Sequence, residues 1–330
     1  MVTSHNQRAL VLEARGQPLS LADVPIPDVC PGSAIVKIPV PLEPPVVPCA
    51  QTIGRIHELG PDGTSLDIGQ LVFVDLFTRS RDNPDDAILQ GYVGGSAASM
   101  KLMDAWKDGM FAQYARMPRE NIAPLNEELL VTQMGYTFAD LSLLGPAAIA
   151  MGGLCEVDVQ AGDSVIVAPA TGLYGGSCVQ VALAMGARVV AASRNDSLLT
   201  KMASTFESTG RLTAVKLTGN LEIDTAALKK ATGSVRGADA GLGALRPFGR
   251  CAPLGGAEGN VEIPYLHVMW NSIRLQGRYM FDRKHTLQLI KVLESGQLKL
   301  GSGDGSGVKV RSFKIEEVEE AMDTAERELR

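Results

Sequence analysis

The rhythm of hydrophobic and polar positions divides the chain near residue 125. Before that point, short runs rich in Val, Ile and Leu (8–13, 19–24, 34–38, 53–59 and 71–75) alternate with turn residues such as Gly16-Gln17-Pro18, Pro31-Gly32 and Gly60-Pro61-Asp62-Gly63. Short strands at this spacing predict a small barrel or sandwich. Between the third and fourth strands, Pro39–Pro48 holds five prolines in ten residues. It reads as an extended connector, because each proline lacks an N–H and restricts its predecessor. A polar loop and a helical stretch, 97–106, follow the fifth strand, and 111–117 returns to strand pattern.

The second half reads differently. Val165–Ala168 is a short apolar strand, Ser177–Met185 a helix ending at Gly186, and Val189–Ala192 a second buried strand. Leu198, Leu199, Met202 and Phe206 recur at helical spacing; 212–217 is a third strand and 225–231 a short helix. This βαβαβ alternation predicts an α/β fold with a parallel sheet covered on both faces. Near the C-terminus, Ile315, Val318, Met322, Ala325 and Leu329 share one helical face, and the acidic run 316–320 forms the solvated one. Gly301–Gly307 reads as a flexible loop.

A length of 330 residues fits two domains at ~100–200 residues each. The 37 acidic and 31 basic residues leave a net charge of −6, which argues against a nucleic-acid partner, since that needs a clustered basic surface. The apolar runs fall short of the ~20 residues of a membrane span, and the polar N-terminus lacks a signal-peptide core, so no membrane partner is expected. Five cysteines (Cys30, Cys49, Cys155, Cys178 and Cys251), an odd number without CxxC spacing, point to neither a disulfide framework nor a zinc lobe. A reducing, cytoplasmic setting fits them best.

The candidate chemistry centres on Val165 to Arg194, VIVAPATGLYGGSCVQVALAMGARVVAASR. A buried strand runs into Ala170-Thr171-Gly172-Leu173-Tyr174-Gly175-Gly176, and this small-residue turn opens a helix. Glycines allow the sharp turn and the close approach of backbone to a diphosphate, while the helix N-terminus supplies free N–H groups and partial positive charge. The competing reading is a tight βα turn that serves packing alone. About 20 positions beyond the glycines, where an NAD enzyme places an acid on the ribose, stand Ser193-Arg194-Asn195. A guanidinium pairs with a 2′-phosphate that a carboxylate would repel, which favours NADP(H) over NAD(H). The alternative is a solvated Arg194 with Asp196 taking the ribose role.

With these parts in order, the chain resembles the medium-chain dehydrogenase/reductase superfamily, of alcohol dehydrogenase and quinone oxidoreductase type. The resemblance rests on the β-rich start, IGRIHELGPDGTSLDIGQLVFV (53–74), DGMFAQYARMPRENIAPL (108–125), the ATGLYGG turn and ALRPFGRCAPLGG (244–256). It implies a GroES-like β-barrel domain over 1–125 completed by 300–330, and a Rossmann doubly wound parallel sheet over 126–299. It also implies a hydride-transfer site and a homodimer. The last is expected through Ser272–Met280, which reads as an edge strand, a natural template for pairing. Leu254-Gly255-Gly256 closes the expected fifth strand, where strand ends bind ligands.

Zinc-dependent members carry Gly-His-Glu where this chain has Cys49, Ala50 and Gln51, and a later ligand falls near Gly145, which cannot coordinate. Cys49 with His57 is a pair, whereas a catalytic zinc needs three protein ligands. The resemblance is therefore to the zinc-free branch of quinone, enone and enoyl reductases, with no metal expected. Tyr174 is expected against cofactor. Tyr92, Tyr265 and Tyr279 are candidate donors to a substrate oxygen, with Tyr92 and Tyr279 carried forward, although packed tyrosines commonly satisfy their hydroxyls in ordinary ways. His57, His267, His285, Trp106 and Trp270 read as packing residues.

Three segments are shorter than the resembled fold implies: Pro39–Pro48, Asp239–Arg246 and the C-terminus. Asp239 and Arg246 are only seven positions apart, whereas a parallel crossover needs at least ~10–12 residues. Two functions follow as expectations. One is an NADP(H)-dependent, zinc-independent reductase or dehydrogenase for a small carbonyl, enone or quinone-type substrate. The other is a degenerate cofactor-binding homologue with little turnover.

Overall fold

A computed structural model describes residues 6–12, 18–37, 50–94, 96–233, 241–254, 260–301, 310–313 and 317–329. The chain forms two compact units, Met1–Gly145 with Val310–Arg330, and Pro146–Lys309.

In the first unit, β1 (Asn6–Val11) and β2 (Ser20–Pro25) form an antiparallel pair. The main sheet contains β3 (Ser33–Lys37), β4 (Thr52–Leu59), β5 (Leu71–Val74), β9 (Tyr114–Pro118) and β10 (Ile122–Pro124) in the order β10-β5-β4-β3-β9. Every pairing in it is antiparallel. Its core is the alternating inward set Ala34, Val36, Ile56, Val72, Val74, Met117 and Ile122. The period-2 pattern of the sequence thus becomes one buried barrel face. Between β5 and β9, the chain adds a small meander of β6 (Phe77–Arg79), β7 (Ala87–Leu89) and β8 (Val93–Gly94), which the sequence pattern does not predict. It then forms α1 (Ala97–Ala105), capped by Ser96, whose side chain accepts from the N–H of Ser99.

Two helices follow the barrel strands: α2 (Phe138–Leu141), opened by a Thr137–Asp140 capping box, and α3 (Leu144–Glu156), within which the division between the units falls. Together they make a 19-residue apolar stretch, Phe138–Glu156, long enough to cross a membrane. The expectation that no apolar run approaches that length is corrected here. Core packing accounts for the composition, because Leu141, Leu144, Ala148 and Met151 have no exposed surface.

The second unit holds β11 (Ser164–Val167), α4 (Leu173–Ala184), β12 (Arg188–Ser193), α5 (Asp196–Thr205), β13 (Leu212–Lys216) and α6 (Leu221–Thr232). The strands pair in parallel in the order β11-β12-β13, as the βαβαβ reading requires. Two further strands, β14 (Arg250–Cys251) and β15 (Arg274–Leu275), pair in parallel in a separate ladder. Helices α7 (Tyr265–Trp270) and α8 (Arg283–Glu294) follow β14 and β15 respectively.

Three expectations change. Helix α4 begins at Leu173, not Ser177, so four residues assigned to the turn form its first helical turn. The edge strand Ser272–Met280 contracts to Arg274–Leu275, because Ser272 (φ 50°) and Met280 (φ 57°) occupy left-handed backbone that interrupts a strand. Between α6 and β14, the described residues hold one element, a three-residue 3₁₀ turn at Leu242–Ala244. Asp239, Pro39–Pro48, Cys49, Gly255 and Gly256 lie outside the described residues.

Candidate functional site

The turn after β11 is built from backbone contacts. The Ala168–Pro169 peptide is cis, and the N–H of Ala170 donates to the carbonyl of Ala192 on β12 at 2.8 Å. Gly172 is the N-cap of α4, in extended backbone (φ −89°, ψ 172°), and has no side chain to satisfy the first-turn N–H groups. The two glycines of the motif serve opposite needs. A Cβ on Gly175 would sit 1.9 Å from the carbonyl oxygen of Pro169, so only glycine lets the helix pack this closely on the turn. A Cβ on Gly172 would meet nothing within 4 Å, so the space above the helix N-terminus is open. That combination, a close-packed base under an open row of N–H donors and the positive helix end, fits a diphosphate.

The side chains around it are fixed in different degrees. Thr171 Oγ1 and Ser193 Oγ are 2.7 Å apart, which ties the turn to the end of β12. Leu173 and Tyr174 are more than half exposed in the first turn of α4, whereas Gly176 is buried and Gly175 half-buried. At its other end, α4 is held by Arg211, whose Nη1 donates to the carbonyls of Leu183 (2.7 Å) and Ala187 (2.9 Å). Cations at a helix C-terminus complement its dipole. Cys178, inside α4, is buried, and burial pushes its thiol up to about 12, so it is an inert packing group.

At the end of β12, Arg194 is exposed and makes no hydrogen bond or ion pair among the described residues. Asn195 caps α5, its side chain accepting from the N–H of Leu198. Asp196 is paired with Lys216, the last residue of β13, at 3.1 Å. Lys216 is thus a charged neighbour of the Ser193–Asp196 segment that spacing along the sequence cannot reveal. Leu254 packs on α3, where a Cβ on Gly153 would come within 2.2 Å of its Cδ2. Of the candidate donors, Tyr92 lies in the first unit and Tyr279 in the second, both well exposed; Tyr265 is exposed on α7. A cavity of about 380 Å³ in the second unit, lined by Cys155, Glu156, Lys284, His285 and Gln288, shares no residue with the turn.

In the first unit, Gln51 and Gly145, which the resemblance places at two ligand positions of zinc-dependent members, are neighbours. A Cβ on Gly145 would lie 2.9 Å from Gln51 Cβ and 3.0 Å from its Oε1, and Gln51 Nε2 is buried without a partner. A larger residue at 145 would displace the amide. Among the described residues, no group of three His, Cys, Asp or Glu side chains could hold a metal ion. His57 instead packs against Tyr114 in a tilted ring contact, with centroids 4.8 Å apart and planes at 58°.

The first unit also buries a polar cluster with no sequence signature. The Asp75 carboxylate accepts from the N–H of Phe77 at 3.1 Å, Asn121 donates to the Asp75 carbonyl and to Thr78 Oγ1, and Thr78 Oγ1 donates to Gln90. Burial raises the Asp75 carboxyl to about 7, outweighing the hydrogen bonds that favour its charged form.

Residues 23–127 match the alcohol dehydrogenase GroES-like domain family. A zinc-type alcohol dehydrogenase-like protein of Schizosaccharomyces pombe is 31% identical over 166 residues, 49% of this chain. The match spans 43% of that relative's length. Among solved structures, AibC superposes with a TM-score of 0.75 at 17% identity, covering 99% of this chain and 94% of its own. A cobalt- and zinc-bound thermostable alcohol dehydrogenase from Pyrobaculum aerophilum gives 0.64 at 20% identity, covering 89% and 90%. An alcohol dehydrogenase (rspB) from E. coli CFT073, complexed with NADH, gives 0.69 at 17%, covering 98% and 96%. At these identities the structures speak for the fold: a GroES-like barrel domain and a Rossmann domain.

Proposed function

Residues 23–127 match the alcohol dehydrogenase GroES-like domain family, and from that premise we propose that the chain is a medium-chain dehydrogenase/reductase, an NADP(H)-dependent, zinc-independent oxidoreductase. Its substrate is a small carbonyl, enone or quinone-type molecule. The observation that carries this reading is the pair of glycines at α4, one closing the helix onto the turn and the other leaving its N-terminus open. In this reading, Ala170–Gly176 cradle the diphosphate through backbone N–H groups, and Thr171 holds the cradle to β12 through Ser193. Arg194 meets the 2′-phosphate, and Leu254 packs at the expected nicotinamide side of the sheet. When bound, the nicotinamide supplies the hydride. Zinc independence is supported by Gln51 filling the space beside Gly145. Tyr92 and Tyr279 are the candidate proton donors.

The same proposal places the protein in the cytoplasm as a homodimer. Its described cysteines are free. In the second unit, Phe248, Tyr265, Leu266 and Trp270 expose large apolar side chains, the last three on the helix that precedes β15 and Phe248 joined to it by a backbone bond to Asn271. A second reading, a homologue that binds cofactor with little turnover, is favoured by the short sequence between α6 and β14, whose described residues hold a three-residue 3₁₀ turn. Consumption of NADPH against a panel of quinones and enones tests the proposal. Turnover that survives removal of metal by a chelator is expected. Nucleotide binding without consumption supports the second reading, and loss of activity on chelation contradicts zinc independence.

A further inference from the structure

The end of β13 carries a charge that no spacing in the sequence assigns to a cofactor. Lys216 is the in-register partner of Ser193 on β12, and the N–H of Leu217 donates to the Ser193 carbonyl at 2.8 Å. Lys216 and Arg194 therefore stand at the C-terminal ends of adjacent parallel strands, the edge where this type of sheet binds nucleotides. The chain just beyond Lys216 is pinned. Asp224 accepts from the N–H of Thr218 (2.7 Å), from its hydroxyl (2.8 Å) and from the N–H of Gly219 (3.0 Å). Lys216 Nζ lies 3.1 Å from Asp196 Oδ2. Asp196 is the one carboxylate in this segment that could accept from a ribose 2′-hydroxyl or repel a 2′-phosphate.

We propose that Lys216 is a specificity-determining residue for a 2′-phosphorylated adenine dinucleotide: it neutralises Asp196 and presents a second positive charge beside Arg194. This inference rests on the NADP(H) reading above. Arg194, Lys216 and Asp196 together carry one net positive charge, which a 2′-phosphate prefers and a 2′-hydroxyl ignores. Both partners of the ion pair are more than half exposed, so replacing either changes charge with little effect on packing.

The test is calorimetric titration of the whole chain with NADPH and with NADH, for wild type, Lys216→Met and Asp196→Asn. Lys216→Met should weaken NADPH by about tenfold and NADH by less than about twofold, lowering the preference ratio by close to one power of ten. Asp196→Asn should tighten NADPH and leave NADH unchanged or weaker. If wild type favours NADPH but Lys216→Met moves both nucleotides alike, or neither, the inference fails and the NADP(H) reading stands. If wild type binds neither nucleotide, or favours NADH, both are overturned.

Discussion

Alanine at the two glycines of the α4 turn should have opposite consequences. At Gly175, the added methyl would lie 1.9 Å from the Pro169 carbonyl oxygen. Carbon–oxygen contacts in proteins settle near ~3.3 Å, so helix and turn would have to separate by roughly 1.4 Å. The obstacle is backbone, which no rotamer change relieves. Overpacking of this kind costs about 1–3 kcal/mol. At ~2–4 °C per kcal/mol for a unit of this size, Gly175→Ala should lower the melting temperature by roughly 2–12 °C. At Gly172, the backbone is in a region that alanine adopts readily, and its Cβ meets nothing. Gly172→Ala should therefore cost at most about 1 kcal/mol, the difference between a glycine and an alanine N-cap. Its methyl, however, would stand where a diphosphate must approach the first-turn N–H groups. Thermal denaturation with and without NADPH separates the two effects. Gly175→Ala should melt early, whereas Gly172→Ala should melt close to wild type but lose most of the nucleotide-induced rise. A Gly172→Ala protein that NADPH stabilises as fully as wild type would refute the assignment of the open N-terminus to the diphosphate. A Gly175→Ala protein as stable as wild type would refute the packing argument.

Other predictions follow from particular side chains. Asp75 has its carboxyl raised by burial from the usual carboxylate range to about 7, so the folded state binds the proton more tightly than the unfolded state. Its contribution to stability is therefore fullest at acid pH and is lost as pH rises from about 4 to 7, by up to about 4 kcal/mol at ~1.4 kcal/mol per pH unit. Urea midpoints at pH 5 and pH 8 should differ less in Asp75→Asn than in wild type, and equal differences would contradict this. Arg194→Gln should weaken NADPH by about tenfold while sparing NADH in fluorescence titration; equal losses would point to a general disturbance. Arg211→Met removes both hydrogen bonds at the C-terminal end of α4 and should cost about 1–3 kcal/mol by urea unfolding, with an unchanged midpoint as the contrary result.

The periodic parts of the fold were legible because burial there follows local sequence. The strands of the barrel sheet and the β11–α4–β12 unit fall within a few residues of their patterns. The sequence starts α4 four residues late because Gly175 and Gly176 have the character of turn residues, although Gly175 is required inside the helix by its contact with Pro169. Ser272–Met280 has the composition of a strand, but left-handed backbone at both ends leaves two paired residues. The Thr78–Gln90 and Asp75–Asn121 contacts of the buried cluster and the Asp196–Lys216 pair are invisible in the sequence because their partners lie 12 to 46 positions apart. Only folding brings them together, and no spacing rule encodes such contacts. The glycine turn is the opposite case, since its strand, loop and helix are contiguous in the chain.

The central claim, that the open N-terminus of α4 receives a dinucleotide diphosphate, is tested most directly by isothermal titration calorimetry on the intact chain with NADPH and NADH. Saturable binding of NADPH at one site per chain, tighter than that of NADH, is the expected result. Absence of heat for both nucleotides, on material that melts cooperatively, would contradict it.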